Sequence, residues 1–351
     1  MNNFYKEKRV VIIGGAGFIG SHLLDRLISL GATVTVADNL SSGYIKNVYD
    51  VWDSHTLKYN RQRRESVIRT KEGHSFLLCD VRDPKQAQKV IDGHDVVFHL
   101  AALFGGRGFI DTHPADCCDN FIINTNVIKA AYKAKAERIA FASTACVYPG
   151  DLQKDYNSTY LLKEEDAFRN EWANSDREYG WAKLMGEVTL WAYRDQYGLK
   201  SSIARYVTAY GPREDDTHAI IALIGRAVRR EDPYVVWGTG EQDRDFTYVD
   251  DIVSGTLLAC EKISDGTPIN LGTTKRYKLK DVAKIILDYV GYSPKVVFDT
   301  SKPEGVATRA LSNARAKKLL GWSPKVSLYD GIARTIEWYE KAKPKSIETI
   351  K

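Results

Sequence analysis

The chain has 351 residues, 44% of them hydrophobic and 27% charged, which fits a soluble globular protein of one large domain or two modest ones. Its net charge of +5 is too weak alone to imply nucleic acid, although it suits an anionic substrate. Five cysteines, an odd number without a small disulfide framework, point to a reduced, cytosolic chain, and no run approaches the roughly 18 apolar residues of a membrane span.

The N-terminal MNNFYKEKRVVIIGG moves from charged residues straight into a strand, so no secretory leader is expected. RVVIIGG (9–15) is a β-rich apolar run ending in glycines. FIGSHLLDRLISLG (18–31) follows with helical spacing, and TVTVADN (33–39) reads as the next strand. The alternation continues through SFLLCDV (75–81), DVVFHLAA (95–102), the helical NFIINTNVIKAAYKA (120–134) and RIAFAST (138–144). Buried strands alternating with helices imply an α/β fold with a parallel sheet covered on both faces. Residues 41–74 interrupt this rhythm and carry Arg61, Arg63, Arg64, Arg69 and Lys71; they read as a helix-containing surface excursion. Beyond residue 206, YGPREDD and WGTGEQDRD break the rhythm again, which implies a smaller substrate domain, while TYVDDIVSGTLLACEKI (247–263) reads as a helix returning to the sheet.

GGAGFIG places Gly14, Gly17 and Gly20, with Phe18 and Ile19 between, in a turn from strand to helix. Such a turn lets backbone N–H groups approach a pyrophosphate at a helix N-terminus. Asp38, followed by Asn39, ends the next strand about 20 residues on, where a carboxylate holds ribose hydroxyls and repels a 2′-phosphate; NAD is therefore expected rather than NADP. Asp80 and Val81 are expected near the adenine. Tyr179 and Lys183 stand four apart, on one face of a helix, so the ammonium is expected to lower the phenol pKa for proton exchange with a sugar hydroxyl. The hydroxyl of Thr144 completes that set. No metal site is expected.

With these motifs in place, the chain resembles the extended short-chain dehydrogenase/reductase family, the nucleotide-sugar epimerases and dehydratases. GGAGFIGSHL, VADNLSSG, HLAA, Asn120, AYGP, DRDFTYVDD and LGWSPKVSLYDGI carry the resemblance across nearly the whole chain. It implies a Rossmann-type doubly wound parallel sheet over residues 1–205 and about 245–263. A smaller C-terminal α/β domain for the nucleotide sugar would take 206–244 and 264–345. It also implies Thr144, Tyr179 and Lys183 as the catalytic trio, Leu100, Ala101, Ala102 and Asn120 beside the cofactor, and a homodimer.

ASTACVYPG (142–150) raises a separate question. Within the family, C-[IV]-Y-P resembles the GDP-mannose 3,5-epimerases and the GDP-fucose synthases, which are 3,5-epimerase/4-reductases. FGGRGFI (104–110) and PEGVATR (303–309) are similar to the former, while THPAD (112–116) and His218 are similar to the latter. The chemistry explains the need. Once C4 of a sugar is a ketone, the hydrogens on C3 and C5 become acidic, and inversion requires a base on one face and an acid on the other. Cys146 and His218 suit those two tasks. The resemblance further implies that Arg244 and Arg309 bind the substrate pyrophosphate and that Gly105, Gly106 and Arg107 line the sugar pocket. Thr208 stands where relatives carry a substrate-touching Asn, and His218 where GDP-mannose 3,5-epimerases carry Lys. The expected reaction is 3,5-epimerisation of GDP-mannose or a related GDP-linked manno-sugar. The alternatives are 4-epimerisation, with Cys146 merely packing, or epimerisation coupled to 4-reduction. Neither nucleic acid nor membrane is an expected partner.

Overall fold

The computed structural model describes residues 3–58, 66–171 and 175–342, without the side chains of residues 107 and 169–171. Seven strands come first: β1 (Arg9–Ile13), β2 (Thr33–Asp38), β3 (Val67–Arg69), β4 (Ser75–Leu78), β5 (Val96–His99), β6 (Arg138–Thr144) and β7 (Ser201–Tyr206). With β12 (Asp265–Leu271) they form one eight-stranded sheet in the order β12-β7-β6-β5-β1-β2-β4-β3. Every pairing is parallel except β3 with β4. The central strands are buried along nearly their whole length, as expected of strands with helices on both faces, although β7 (SSIARY) carries Ser201, Ser202 and Arg205 among its buried residues. Along β1, Val10 and Ile12 enter one core, whereas Val11 and Ile13 enter the other.

The helices are α1 (Phe18–Ser29), α2 (Ile45–Ser54), α3 (Pro84–Ile91), α4 (Arg107–Thr112), α5 (Pro114–Lys133), α6 (Arg177–Tyr197), α7 (Ala219–Val228), α8 (Val249–Lys262), α9 (Leu279–Val290), α10 (Ala314–Leu320) and α11 (Leu328–Ala342). α1, α2 and α8 cover one face of the sheet, and α3, α5 and α6 the other. From β1 the chain first builds outward through β2 and β4, then reverses through β5, β6 and β7. At that reversal the connecting loops part, leaving a crevice beyond the carboxyl ends of the strands.

The remaining strands are short: β8 (Thr208–Tyr210) pairs with β11 (Phe246–Tyr248), β9 (Tyr234–Trp237) pairs with β14 (Val296–Asp299), and β10 (Asp243–Arg244) lies between β13 (Tyr277–Lys278) and β15 (Thr308–Arg309). Their helices α7, α9 and α11 bury side chains in the same cluster as β1 and α1. The return to the main sheet runs past residue 263 to the end of β12, because that strand pairs with β7.

Three local expectations change. The third expected strand stops at Leu78, so Cys79–Val81 lie in the crevice wall rather than in the sheet. The helix expected from residue 120 begins at Pro114, where proline at the first turn has no N–H to lose. The 41–74 segment contains the expected helix, but its described residues are packed into the fold: Asn47, Val48, Val51 and Trp52 form the buried face of α2, and β3 adds an antiparallel edge to the sheet. Arg61, Arg63 and Arg64 lie outside the described residues. No helix among the described residues is long and apolar enough to cross a membrane.

Candidate active site

One continuous cleft runs along the crevice, with about 2130 Å³ of space including its open mouth. The enclosed part of that space, about 400 Å³, falls within the roughly 300–1,000 Å³ of a usual ligand pocket. One end is walled by Gly14, Gly17, Phe18, Ile19, Gly20, Asp38, Asn39, Asp80, Val81, Leu100, Ala101 and Ala102. Gly14 adopts φ +84°, and a Cβ there would sit 2.7 Å from the amide nitrogen of Ala101, so the turn after β1 closes only with glycine. Helix α1 starts behind it with no side-chain cap and no acidic residue in its first turn. Its leading amides are therefore available to a pyrophosphate. At the end of β2, Asp38 Oδ2 accepts from Ala16 N–H (3.0 Å) and Oδ1 from Leu40 N–H (2.8 Å). Burial pushes the Asp38 carboxyl up, and these amides oppose that rise.

Arg82, which sequence reasoning missed, also reaches this end of the cleft. Its charge is committed: one nitrogen bonds Asp80 at 2.6 Å and another Asp119 at 2.9 Å. The Arg82 hydrogen bond is the main reason the Asp80 carboxyl falls to about 2. Asn120, expected to support the site beside the cofactor, supports the wall from behind. It is fully buried behind the wall, with its amide oxygen accepting from Leu103 N–H and its amide nitrogen donating to the carbonyls of Leu103 and Cys117, each at 2.9 Å. It pins the loop after β5 and presents nothing to the cleft.

Thr144, Cys146, Tyr179, Lys183, Thr208, His218, Arg244, Arg309, Gly105 and Gly106 all line the other end. Arg107 opens α4, with its side chain outside the description. Thr144 ends β6, and its hydroxyl oxygen accepts the Cys146 N–H at 3.2 Å, capping a single tight turn over Ala145–Val147. The carbonyl of Cys146 then accepts the N–H of Asp176 at 2.8 Å. Gly180 on α6 lies against that same carbonyl, and any larger residue would collide with it. This close approach puts Cys146 and Tyr179 in one buried cluster with Ile110 and Cys117.

The thiol has a partner that sequence reasoning did not anticipate. Arg309 Nη1 donates to Cys146 Sγ at 3.4 Å, Nη2 to Asp176 Oδ2 at 2.9 Å, and Nε to Gln153 Oε1. Arg309 thus faces the sulfur, where a pyrophosphate contact was expected. Arg244 donates to the carbonyls of Asp243 (2.6 Å) and Glu304 (3.1 Å).

Lys183 Nζ donates to Ala142 O at 2.8 Å and lies 5.9 Å from the centre of the Tyr179 ring. The expected lowering of the phenol pKa is absent: burial drives Tyr179 well above its ordinary value, with the nearby thiols of Cys146 and Cys117 adding to the rise. Burial also brings Lys183 down to about 7. Desolvation of the charged form outweighs attraction across that distance. His218 occupies the residue before α7 without a side-chain capping bond and stacks on Phe104 at 5.1 Å; Phe104 in turn packs against Tyr179 at 5.0 Å. Burial lowers the imidazole pKa, and Asp215 opposes it. Among the described residues, no group of three or more His, Cys, Asp or Glu is placed to hold a metal ion.

Comparison with known proteins agrees with this layout. The profile of the NAD dependent epimerase/dehydratase family matches residues 10–272. GDP-mannose 3,5-epimerase 1 of Oryza sativa subsp. japonica is 32% identical over 96% of this chain and 82% of its own length. GDP-L-fucose synthase 1 of Arabidopsis thaliana is 32% identical over 70% of this chain and 76% of its own. Among solved structures, UDP-glucose 4-epimerase of Thermotoga maritima, determined with UDP-glucose, aligns with a TM-score of 0.80 and 30% identity, covering 95% of this chain and 99% of that one. The glycine turn, the free start of α1 and Asp38 fit NAD, the cofactor of the family. The chain is an enzyme of the NAD-dependent epimerase/dehydratase family, in the extended short-chain dehydrogenase/reductase class.

Proposed function

We propose that the protein is an NAD-dependent 3,5-epimerase of GDP-mannose or a related GDP-linked manno-sugar, acting through a transient 4-keto sugar. The observation that carries this reading is that Cys146 shares a buried cluster with Tyr179, while His218 stacks on the Phe104 that packs against Tyr179, all three lining one cleft. The similarity to GDP-mannose 3,5-epimerase supports the choice of sugar. Bound NAD would supply reversible oxidation at C4. Tyr179 exchanges the proton of the C4 hydroxyl, assisted by Thr144 and by Lys183, which titrates near neutrality. The ketone makes the neighbouring C–H groups acidic. Cys146 then removes a proton as thiolate, and His218 returns one to the opposite face, so the sugar is inverted with no net redox change.

The nearby guanidinium of Arg309 suits a sulfur that carries negative charge after giving up its proton. Gly105, Gly106, Thr208 and Arg244 are the proposed sugar and phosphate contacts at this end. A homodimer through α5 and α6 is part of the proposal, because Phe121, Ile122, Tyr132 and Trp181 stand exposed on those neighbouring helices.

The test is incubation with GDP-mannose in heavy water, followed by mass spectrometry and NMR of the recovered sugar. Deuterium at C3 or C5 supports the proposal, and its absence from both carbons defeats it. A C4 epimer without solvent label would identify a 4-epimerase instead. Cys146→Ser should cut label uptake by about 100-fold while leaving a 4-keto sugar that borodeuteride can trap; Tyr179→Phe should abolish both.

A further inference from the structure

The loop between β8 and α7 carries a carboxyl group with no task in the scheme above. Glu214 lines the cleft, yet its side chain is only 3% exposed and its Oε2 has no hydrogen-bond partner. Its other oxygen, Oε1, lies 3.4 Å from His218 Nδ1, within a few tenths of an ångström of hydrogen-bonding distance. Burying a carboxyl group with a free oxygen is unfavourable unless the group has a partner in the working state.

We propose that Glu214 is the positioning residue for His218, holding the imidazole through Nδ1 so that Nε2 faces the sugar. The inference rests on the reading of His218 as the acid of the epimerisation. Two other groups compete for the imidazole. Asp215 Oδ1 is 3.8 Å from Nδ1, but it already accepts the N–H and hydroxyl of Thr217 and is ten times more exposed, at 30%. The hydroxyl of Thr217 is 3.3 Å from Nδ1 and is shared with Asp215. The Gly211 backbone also bonds the Glu214 carboxyl group, but Oε2 keeps capacity to spare, and Glu214 is the less screened partner.

Stacking on Phe104 fixes the plane of the ring, and a bond at Nδ1 fixes its rotation within that plane. In this proposal the pair holds one proton between them. Burial pushes Glu214 well above the usual carboxylate range, with Asp215 adding to the rise, and pushes His218 down. One proton shared between them can move from the carboxyl group to Nδ1, making an imidazolium whose Nε2–H is given to the sugar; the carboxylate left behind then holds Nδ1–H. The surrounding charges are Asp215 and Asp216 of the same loop, with Tyr44 facing the two aspartates from before α2 and Tyr179 beyond Phe104; Arg213 of that loop is turned to Asp25.

The experiment compares Glu214→Gln and Glu214→Asp with the unaltered enzyme, their folding checked by thermal unfolding. The readouts are the ¹⁵N signals of His218 and solvent-deuterium uptake by GDP-mannose across pH. In Glu214→Gln the balance between the Nδ1–H and Nε2–H forms of His218 should shift. Label uptake at the carbon served by His218 should fall about 10- to 100-fold with KM changed less than about twofold, and Glu214→Asp should recover part of it. The rate limb belonging to the imidazolium should move to lower pH, because the removed carboxylate favoured the charged ring. Unchanged ¹⁵N signals and uptake in a folded Glu214→Gln would overturn the proposal. If the unaltered enzyme takes up no label, the epimerase reading fails by itself. The ¹⁵N comparison then decides for Glu214, a shift supporting its hold on His218 and constancy refuting it.

Discussion

Arg309 and Cys146 meet at 3.4 Å across 163 residues of sequence, and Asp176 binds both, taking the guanidinium on its carboxylate and giving its backbone N–H to the Cys146 carbonyl. A cation held on a sulfur favours thiolate, the form that acts as base or nucleophile. Arg309→Met should therefore slow alkylation of Cys146 by iodoacetamide at pH 7 about 10-fold, and Asp176→Asn by a smaller factor. Mass spectrometry of the modified peptide measures both. Equal alkylation rates in all three proteins would remove Arg309 from this role.

Lys183 gives a prediction with a defined pH window. The residue is 2% exposed and its ammonium titrates at about 7, against roughly 10.4 in an unfolded chain. Between about pH 7 and pH 10 the unfolded chain therefore holds more protons, and this residue makes stability rise with pH across that interval. Below about pH 7 the burial penalty is present in full. Lys183→Met removes it, so the variant should gain about 1–3 kcal/mol at pH 6, with the gain fading towards pH 10. Loss of the bond to Ala142 O subtracts equally at both ends of the range. Urea unfolding midpoints at pH 6 and pH 10 test this, and a difference independent of pH would refute it.

Asp38 should set the choice of cofactor. Its two oxygens are anchored by the amides of Ala16 and Leu40, which fixes a negative charge at the carboxyl end of β2. Asp38→Asn keeps the shape and removes the charge. NAD binding should weaken about 10-fold, equivalent to about 1.4 kcal/mol, while NADP binding improves. Fluorescence titration with each cofactor gives the ratio; an unchanged preference would show that another group excludes the 2′-phosphate.

Features written within a few neighbouring residues were legible from sequence. The Gly14–Gly20 turn, the carboxylate closing β2 and the four-residue spacing of Tyr179 and Lys183 each follow from one local backbone geometry. What escaped notice joins distant segments. Gln153 and Asp176 reach Arg309 only because the loop after β6, the start of α6 and β15 converge. Neither residue has a motif to announce it. The reach of Glu214 to His218 at four residues' spacing was open to sequence reasoning, but the run of acidic residues around it reads equally well as a solvated loop. Residues 45–54 were judged by the charge around them, although Val48, Val51 and Trp52 already spelled a buried helical face. Even the Tyr179–Lys183 spacing predicted position and not protonation, since burial of the pair overrides their mutual attraction.

The last prediction concerns the buried support beneath the reacting groups. Arg205 on β7 and Glu187 on α6 form a doubly bonded ion pair, at 2.6 and 2.9 Å, with both side chains fully buried. The pair also binds the hydroxyl of Ser143, adjacent to Thr144, and that of Tyr148, two residues past Cys146. Arg205 further donates to the carbonyl of Glu164 at 2.7 Å. Removing one member strands the other's charge, so Arg205→Met should destabilise the fold by about 3–5 kcal/mol. Replacing both, as Arg205→Met with Glu187→Leu, should recover much of that loss, because no naked charge remains. Turnover should still fall in the double variant, since β6 and the Cys146 turn lose the bonds that fix their height above the sheet. Urea unfolding and kcat measured on both variants separate these effects, and a single variant within about 1 kcal/mol of the unaltered protein would show that the pair contributes little to either.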